Sequence, residues 1–457
     1  MIVQSRRVFV GLHFVSLGMA ALLAVGVSPG LAQSAAHGEF QINSYGTSTQ
    51  AFASVASQAN GAFVVTWNSY GSPAPGDSDA ASVQGRRFTA DGSPIGLQFL
   101  VNSYTTGYQG GSAVAIDGTG GFVVVWASDG SAAGPAGNDH SGRSIQAQRY
   151  ANDGSTLGSQ FQINTYSTSE QSQPAIAMTA AGDFIVAWAS IGSAPPGNDS
   201  NAYSVQARRY LGNGTPIGSE FQVNTYTTGN QRYPAVGIDG DGGFVVAWQS
   251  TGATGDNLAD SIQAQRFDAT GATLGSQFLV NTYTTGDQTQ AAIAVAPSGD
   301  FVVAWTSYGS PDGEPGASVH ARRFDATGAP QGIQFKVNTL TTGYQGLPAV
   351  AADSRGDFII TWHGSASSGT DTSPFSIQAR RFRASGAALG SEFQVNVDTP
   401  MSQVGSVVAV DGLGNFVVVW DSQVATLDFD IRAQRFDNLL REGFESGNFS
   451  RWSSVLP

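Results

Sequence analysis

Four tyrosines occupy the same point of a repeated sequence and are the first candidates for recognition. Tyr104, Tyr166, Tyr226 and Tyr283 each stand two residues after the asparagine of a Phe-x-Val-Asn or Phe-x-Ile-Asn segment. Aromatic rings with a polar tip suit stacking on a sugar or contact with a protein. The pattern predicts a binding surface for an extracellular glycan or protein.

Aspartates in the loops that follow the second strand of several repeats form the second group of candidates. Their carboxylate oxygens would suit calcium; solvated loops without a ligand are the alternative. No cofactor is firmly implied, and calcium is the one the sequence suggests. Asp139 and His140 join the tyrosines as binding candidates, and the candidate calcium ligands are Asp77, Asp79, Asp139, Asp199 and Asp256.

Catalytic motifs are sparse. Asp139, His140 and Ser141 are adjacent, but neighbours on one loop rarely point at one another as a triad requires. The chain has no cysteine, which excludes thiol catalysis and disulfides. We therefore expect a protein without enzymatic activity. A hydrolase or lyase acting on extracellular polysaccharide is the alternative, because carboxylates can meet across a ring unseen in the sequence.

The candidate residues lie within a long sequence repeat, and the fold of that repeat must position them. Its clearest marker is a tryptophan closing a Phe-Val-Val-x-Trp type of segment, at intervals of 57 to 62 residues. Such a regular period is the mark of a repeat architecture. The seven markers are Trp67, Trp126, Trp188, Trp248, Trp305, Trp362 and Trp420.

Each repeat is long enough for four short strands. In the fourth, β-branched and aromatic segments at 234–238, 244–248, 261–267 and 278–281 alternate with turn residues, and 249–260 is expected to be a loop. Four antiparallel strands per unit match a propeller blade. An immunoglobulin-like sandwich would need about 100 residues. The fold class is therefore predicted to be all-β, a seven-bladed β-propeller.

The two ends of the repeat region complement one another. A lone fourth-type strand starts at Phe40, and the last repeat ends on a third-type strand at Arg432–Phe436. The N-terminal strand is expected to complete the last blade and close the ring, hiding an open sheet edge. The predicted domains are a signal peptide at 1–32, the propeller at 33–437 and a tail at 438–457, which is a sorting tag or a disordered end.

The repeat resembles tandem repeats of large secreted proteobacterial proteins. The resemblance covers residues 39 to 437 and is carried by segments such as Glu220–Gly229, Gly243–Trp248 and Ile262–Phe267. In those proteins the repeats often lie beside calcium-binding modules. The family implies no enzymatic activity.

Residues that recur in every repeat are expected to be structural. The tryptophans and second-strand phenylalanines should form the core. The third-strand arginines, such as Arg209, should bond to the neighbouring blade. The glutamines before each first strand, such as Gln231, are expected to bridge blades near the channel.

The net charge and the N-terminal sequence limit the expected binding partners and the expected cellular location. The formal net charge is −13 and Lys336 is the only lysine, so nucleic acid and anionic membranes are poor partners. Arg6 and Arg7 precede an apolar run that reaches about Val27, typical of a signal peptide cleaved after Ala32. An uncleaved anchor is the alternative. We expect a monomer at the exterior of a Gram-negative bacterium, or in its periplasm.

Overall fold

The computed structural model describes residues 35, 38–71, 80–130, 142–193, 197, 199, 202–253, 256–309, 316–426 and 428–438. None of them lies in a helix, so none belongs to a helix that could cross a membrane. The predicted signal peptide and the tail beyond residue 438 lie outside this range.

Twenty-eight strands make up the described chain, in seven antiparallel sheets of four. They are β1 (Phe40–Gln41), β2 (Gln50–Ser57), β3 (Phe63–Tyr70), β4 (Ala81–Phe88), β5 (Pro94–Leu100), β6 (Gln109–Ile116), β7 (Phe122–Asp129), β8 (Arg143–Tyr150), β9 (Phe161–Gln162), β10 (Gln171–Met178), β11 (Phe184–Ile191), β12 (Tyr203–Tyr210), β13 (Pro216–Gln222), β14 (Gln231–Ile238), β15 (Phe244–Ala253), β16 (Asp256–Phe267), β17 (Phe278–Leu279), β18 (Gln288–Val295), β19 (Phe301–Tyr308), β20 (Ala317–Phe324), β21 (Phe335–Lys336), β22 (Gln345–Ala352), β23 (Phe358–Gly364), β24 (Ser376–Phe382), β25 (Phe393–Gln394), β26 (Gln403–Val410), β27 (Phe416–Gln423) and β28 (Phe429–Phe436).

The sheets are the blades of a seven-bladed β-propeller, as predicted. Blades 1 to 6 are β2–β5, β6–β9, β10–β13, β14–β17, β18–β21 and β22–β25, and blade 7 is β26–β28 with β1. The first strand of each blade packs against the first strand of the next, and β26 of blade 7 packs against β2 of blade 1. This closed ring of first strands lines the channel.

Closure through the N-terminal strand is confirmed. Phe40 pairs with Ala433 in β28, and the Ile42 amide donates to the Ile431 carbonyl at 2.8 Å. Asn43 then accepts the Ile431 amide at 2.8 Å. Ile42 is fully buried in a cluster that contains residues of blades 7 and 1. The segment 40–43 therefore completes both the sheet of blade 7 and the apolar core shared by blades 7 and 1.

The tryptophans lie in apolar clusters shared by adjacent blades. Trp248 of blade 4, for example, packs with Ala187 and Val205 of blade 3. Its indole Nε1 donates to Gln231 Oε1 at 3.1 Å, and the equivalent bond joins tryptophan and glutamine in five other blades. The expectation that these glutamines bridge blades is therefore wrong: they serve the buried indole of their own blade, where a donor needs an acceptor.

The recurrent arginines do bond to the next blade. Arg87 donates to the Asn152 carbonyl, Arg209 to the Ala269 carbonyl and Arg323 to the Ala384 carbonyl. Each acceptor belongs to the turn that follows the third strand of the neighbouring blade. These charge-assisted bonds join each blade to the next.

The fourth blade departs from the predicted loop at 249–260. Strands β15 and β16 continue through most of it and pair as far as Ala253 with Asp256. Thr251 and Gln249 both bond to the Asp260 carboxylate within this extension. Cross-strand side-chain bonds of this kind favour a continued ladder over an irregular loop.

Candidate functional site

An unusual backbone feature recurs at the third residue of every first strand. The pairing with the second strand shifts by one residue there, as in a β-bulge. All seven residues have a positive φ, between 53° and 64°. Such a conformation is costly for residues other than glycine and often marks functional positions. The seven bulge residues are Phe52, Gly111, Gln173, Tyr233, Gln290, Leu347 and Gly405.

Side chains from the preceding blade hold these bulges. In five blades the residue after the core tryptophan reaches across the blade boundary and accepts the backbone amide of the bulge residue, as Asn68 does from Gly111 at 3.0 Å and Thr306 from Leu347 at 2.9 Å. In the other two blades the residue is an alanine, which has no side-chain acceptor. This position, which we call the bracing position, is where the blades differ. Its residues are Asn68, Ala127, Ala189, Gln249, Thr306, His363 and Asp421.

Asp421 is the only carboxylate at the bracing position. Its Oδ2 accepts the Phe52 amide at 2.9 Å, across the boundary between blades 7 and 1. Oδ1 is buried with no hydrogen-bond partner among the described residues. Burial raises the pKa of Asp421 to about 7, although the bonds from the Phe52 and Ala53 amides oppose that shift. A buried carboxylate is unfavourable, so the proton is held up to about pH 7.

Asp421 lines a groove between blades 7 and 1. The groove has a volume of about 350 Å³ and is walled by both first strands and by the ends of β3 and β28. Phe52 is 61% exposed although it is apolar and has a positive φ. The groove thus joins one buried acid to aromatic side chains. Its lining residues are Thr49, Ala51, Phe52, Tyr70, Val404, Asp421 and Phe429.

His363 occupies the bracing position of blade 6 in a different setting. Its Nδ1 accepts the Gly405 amide at 3.3 Å. The ring lies 5.4 Å from that of Tyr344 and 5.2 Å from that of Phe375. Burial lowers the pKa of His363 to about 4, so the ring is neutral at physiological pH. A neutral imidazole braces the bulge but has no proton to donate as an acid.

The four predicted binding tyrosines are half-buried in the joints between blades. A Cβ added at Gly130, at the end of β7, would lie 2.9 Å from the Tyr104 hydroxyl, and one at Gly192 would lie 2.6 Å from that of Tyr166. Tyr226 and Tyr283 lie against Gly252 and Gly309 in the same way. The structure therefore brings each tyrosine to its own blade boundary, and their role in binding stays a prediction.

The two candidate calcium ligands among the described residues lie in different blades. The carboxylate of Asp199 accepts a hydrogen bond from the side-chain amide of Asn224 at 3.0 Å. In the next blade, Asp256 accepts one from the side-chain amide of Asn281 at 3.4 Å. Within the described ranges no group of three or more acidic or histidine residues could hold a metal ion. Calcium binding stays a prediction. Asp77, Asp79, Asp139 and His140 lie outside the described residues.

Sequence reasoning missed Asp421 as a site residue. Its partner Phe52 is 369 positions away, so no local motif joins them. The signal that was available is the variation at the bracing position: alignment of the seven repeats on their tryptophans shows one carboxylate where the others are amide, alanine, threonine or histidine.

The ionisation of Asp421 should make the free energy of unfolding depend on pH. Because its pKa is raised from 3.8 to about 7, the folded protein keeps a proton that the unfolded chain releases across this interval. The free energy of unfolding therefore falls as pH rises through it. The side chain introduced by Asp421→Asn cannot ionise. The melting temperature of this variant minus that of the natural protein should therefore increase with pH from 3.8 to about 7 and then level off.

Melting scans of both proteins across that pH range provide the measurement. Asn68 of blade 1 already braces the bulge of blade 2, so asparagine fits the position. A melting difference that stays constant with pH would contradict the raised pKa.

Comparisons with known proteins place the fold among solved structures. A search for protein families found no match, and neither did a search of curated proteins. A Dyadobacter fermentans protein of unknown function is 11% identical with a TM-score of 0.50, over 90% of this chain and 99% of that one. An α-L-arabinofuranosidase of Fusarium graminearum is 10% identical with a TM-score of 0.47, over 87% and 97%. A Streptococcus pneumoniae sialidase is 7% identical with a TM-score of 0.46, over 88% and 70%.

The expectation of a protein without enzymatic activity is not supported by these comparisons, in which the similar structures of stated activity are glycosidases. At these identities the likeness concerns the fold, and those enzymes' substrates are not transferred. The physical reason for the wrong expectation is that a propeller assembles its polar groups from separate blades, which leaves no compact motif in the sequence.

Proposed function

We propose that the chain is a hydrolase that cleaves glycosidic bonds in an extracellular polysaccharide, with Asp421 as the proton donor. The observation that carries this proposal is Asp421, a buried residue in the lining of a groove, whose pKa is raised and whose Oδ1 has no hydrogen-bond partner among the described residues. Perturbed carboxyl groups in clefts are typical of acid–base catalysts.

The chemistry requires a proton at the leaving oxygen. Asp421 would give its proton to the glycosidic oxygen as the bond from that oxygen to the anomeric carbon breaks. Water would then add to the anomeric carbon and return a proton to the Asp421 carboxylate, which restores the starting state. An acid with a pKa near 7 is suited to this exchange, because the group is available in both forms close to neutral pH.

The groove's aromatic side chains supply the matching recognition. Phe52, Tyr70 and Phe429 line the same groove as Asp421. Flat aromatic faces suit the apolar faces of sugar rings, and a tyrosine hydroxyl adds a polar contact. The proton donor therefore lies beside surfaces on which a sugar can rest.

We place the activity outside the cell. Support comes from the basic and apolar N-terminal segment typical of a signal peptide. The resemblance of the repeat to those of secreted proteobacterial proteins agrees with this location.

The test is release of reducing ends from a polysaccharide panel by the mature chain and two variants. Asp421→Asn should lose at least a hundredfold in rate, because loss of a general acid costs about 10² to 10⁴. Thr306→Asn is the matched control, since it changes the bracing position of blade 5 to the residue that blade 1 already has.

We expect the control to retain the natural rate. Equal hydrolysis by Asp421→Asn and the natural protein would overturn the role of Asp421. Failure of the natural protein to hydrolyse any polymer of the panel would overturn the proposed function.

A further inference from the structure

The groove between blades 7 and 1 carries no positive charge among the described residues that line it. Its one ionisable acid is Asp421, and its other lining side chains are aliphatic, aromatic or hydroxyl-bearing. A carboxylated or sulfated sugar bound there would lose hydration without meeting a cation, which is costly. An ionised Asp421 would add repulsion, as would the net charge of −13.

Phe52 is the residue whose placement calls for a reason. Its backbone is in the left-handed region, with φ of 59°, as at four other non-glycine bulges, whereas glycine fills the equivalent bulge in blades 2 and 7 as Gly111 and Gly405. Phe52 is the most exposed of the apolar bulge residues, at 61% against 42% for Tyr233 and 37% for Leu347. Glycine would remove the conformational cost. The phenylalanine is also largely exposed, so core packing does not explain it. Strain retained at an exposed aromatic ring indicates a use at the surface.

The hydrogen bond to Asp421 holds the backbone of Phe52 beside the acid. The Phe52 amide donates to Asp421 Oδ2 at 2.9 Å, so the bulge and the acid are held as one unit. Phe52 and Asp421 line the same groove. A sugar stacked on Phe52 would be positioned next to Asp421.

We infer that the groove takes an uncharged polysaccharide, with Phe52 as the platform on which one sugar ring stacks. This inference rests on the proposed function and adds the class of substrate to it. Uronic-acid, sialic-acid and sulfated polymers are excluded by the same chemistry. Phe52 is a specificity-determining residue of the groove.

Affinity electrophoresis tests the inference with pairs of polymers that differ in charge. Hydroxyethyl cellulose is paired with carboxymethyl cellulose, and galactan with polygalacturonate; xylan and mannan extend the neutral set. The natural protein should be retarded by at least one neutral polymer and by neither charged partner. Phe52→Gly should weaken that retardation about tenfold, as expected for loss of one good contact.

The variants are chosen so that folding is not in question. Phe52→Gly installs the residue found at this bulge in blades 2 and 7, where the glycine amide keeps the bracing bond. Leu347→Gly makes the same change in blade 6 and should leave retardation unchanged. Retardation by charged polymers alone, by no polymer, or equally for Phe52→Gly and the natural protein would overturn the inference.

Hydrolysis assays on the same polymers separate this inference from the proposed function. Hydrolysis of a charged polymer that depends on Asp421 would overturn the neutral substrate class and uphold the hydrolase. Retardation by a neutral polymer that depends on Phe52, without hydrolysis of any polymer, would uphold the inference and overturn the hydrolase.

Discussion

A mature chain that begins at residue 46 should melt far below one that begins at residue 33 and should aggregate on heating. Removal of residues 33–45 deletes β1, unpairs the outer edge of β28 and takes Ile42 out of the core shared by blades 7 and 1. It also removes the Ile42 carbonyl, which accepts Arg86 of blade 1 at 2.8 Å. An exposed strand edge beside an open apolar face favours aggregation.

Calorimetry and light scattering on the two chains provide the measurement. Deletion of residues 439–457 is the control, since it leaves every described strand in place, and this chain should melt like the full mature protein. Equal melting temperatures for the chains beginning at 33 and 46 would contradict closure through β1.

Trp248→Ala should lower the free energy of unfolding by about 3–5 kcal/mol, the range for large aromatic residues removed from a core. Trp248 is fully buried and packs against residues of two blades. Its loss also leaves Gln231 Oε1 without the indole donor. Buried acceptors without partners add to the cost of the cavity.

Urea unfolding of the variant, followed by circular dichroism, measures this loss. Trp248→Phe fills part of the space and should lose less than Trp248→Ala. A change within about 1 kcal/mol for Trp248→Ala, the size typical of an average substitution, would contradict its place in the core.

The blade count and the closure of the ring were predictable from the sequence. The seven tryptophans at nearly constant spacing gave the number of blades. The isolated segment at Phe40 has the sequence of a fourth strand, which the last repeat lacks after Phe436. Both features are local patterns repeated along the chain. Antiparallel pairing between neighbouring segments then leaves few alternatives for the fold.

The groove was not predictable by the same reasoning. The bulges carry Phe52, Tyr233 and Leu347 at positive φ, residues whose side chains signal an ordinary strand. Asp421 follows a core tryptophan and precedes a buried serine, so nothing in its neighbours marks it as an acid in a groove. Its environment is created by a strand from the other end of the chain.

The candidate sites chosen from sequence came from repetition and exposure. The four tyrosines repeat because each lies in the same joint between blades, where Tyr104 meets Gly130 of the next blade. A carboxylate at one of the seven bracing positions breaks the sevenfold symmetry, and Asp421 does so at the boundary where the ring closes.

Difference infrared spectroscopy tests most directly whether Asp421 holds a proton in this groove. The carbonyl stretching band of a protonated carboxyl group, taken as the natural protein minus Asp421→Asn, should be present at pH below about 7 and disappear above it. Thr306→Asn should leave the band unchanged. Its absence from the difference spectrum at mildly acidic pH would show an ionised Asp421 and contradict the proposed proton donor.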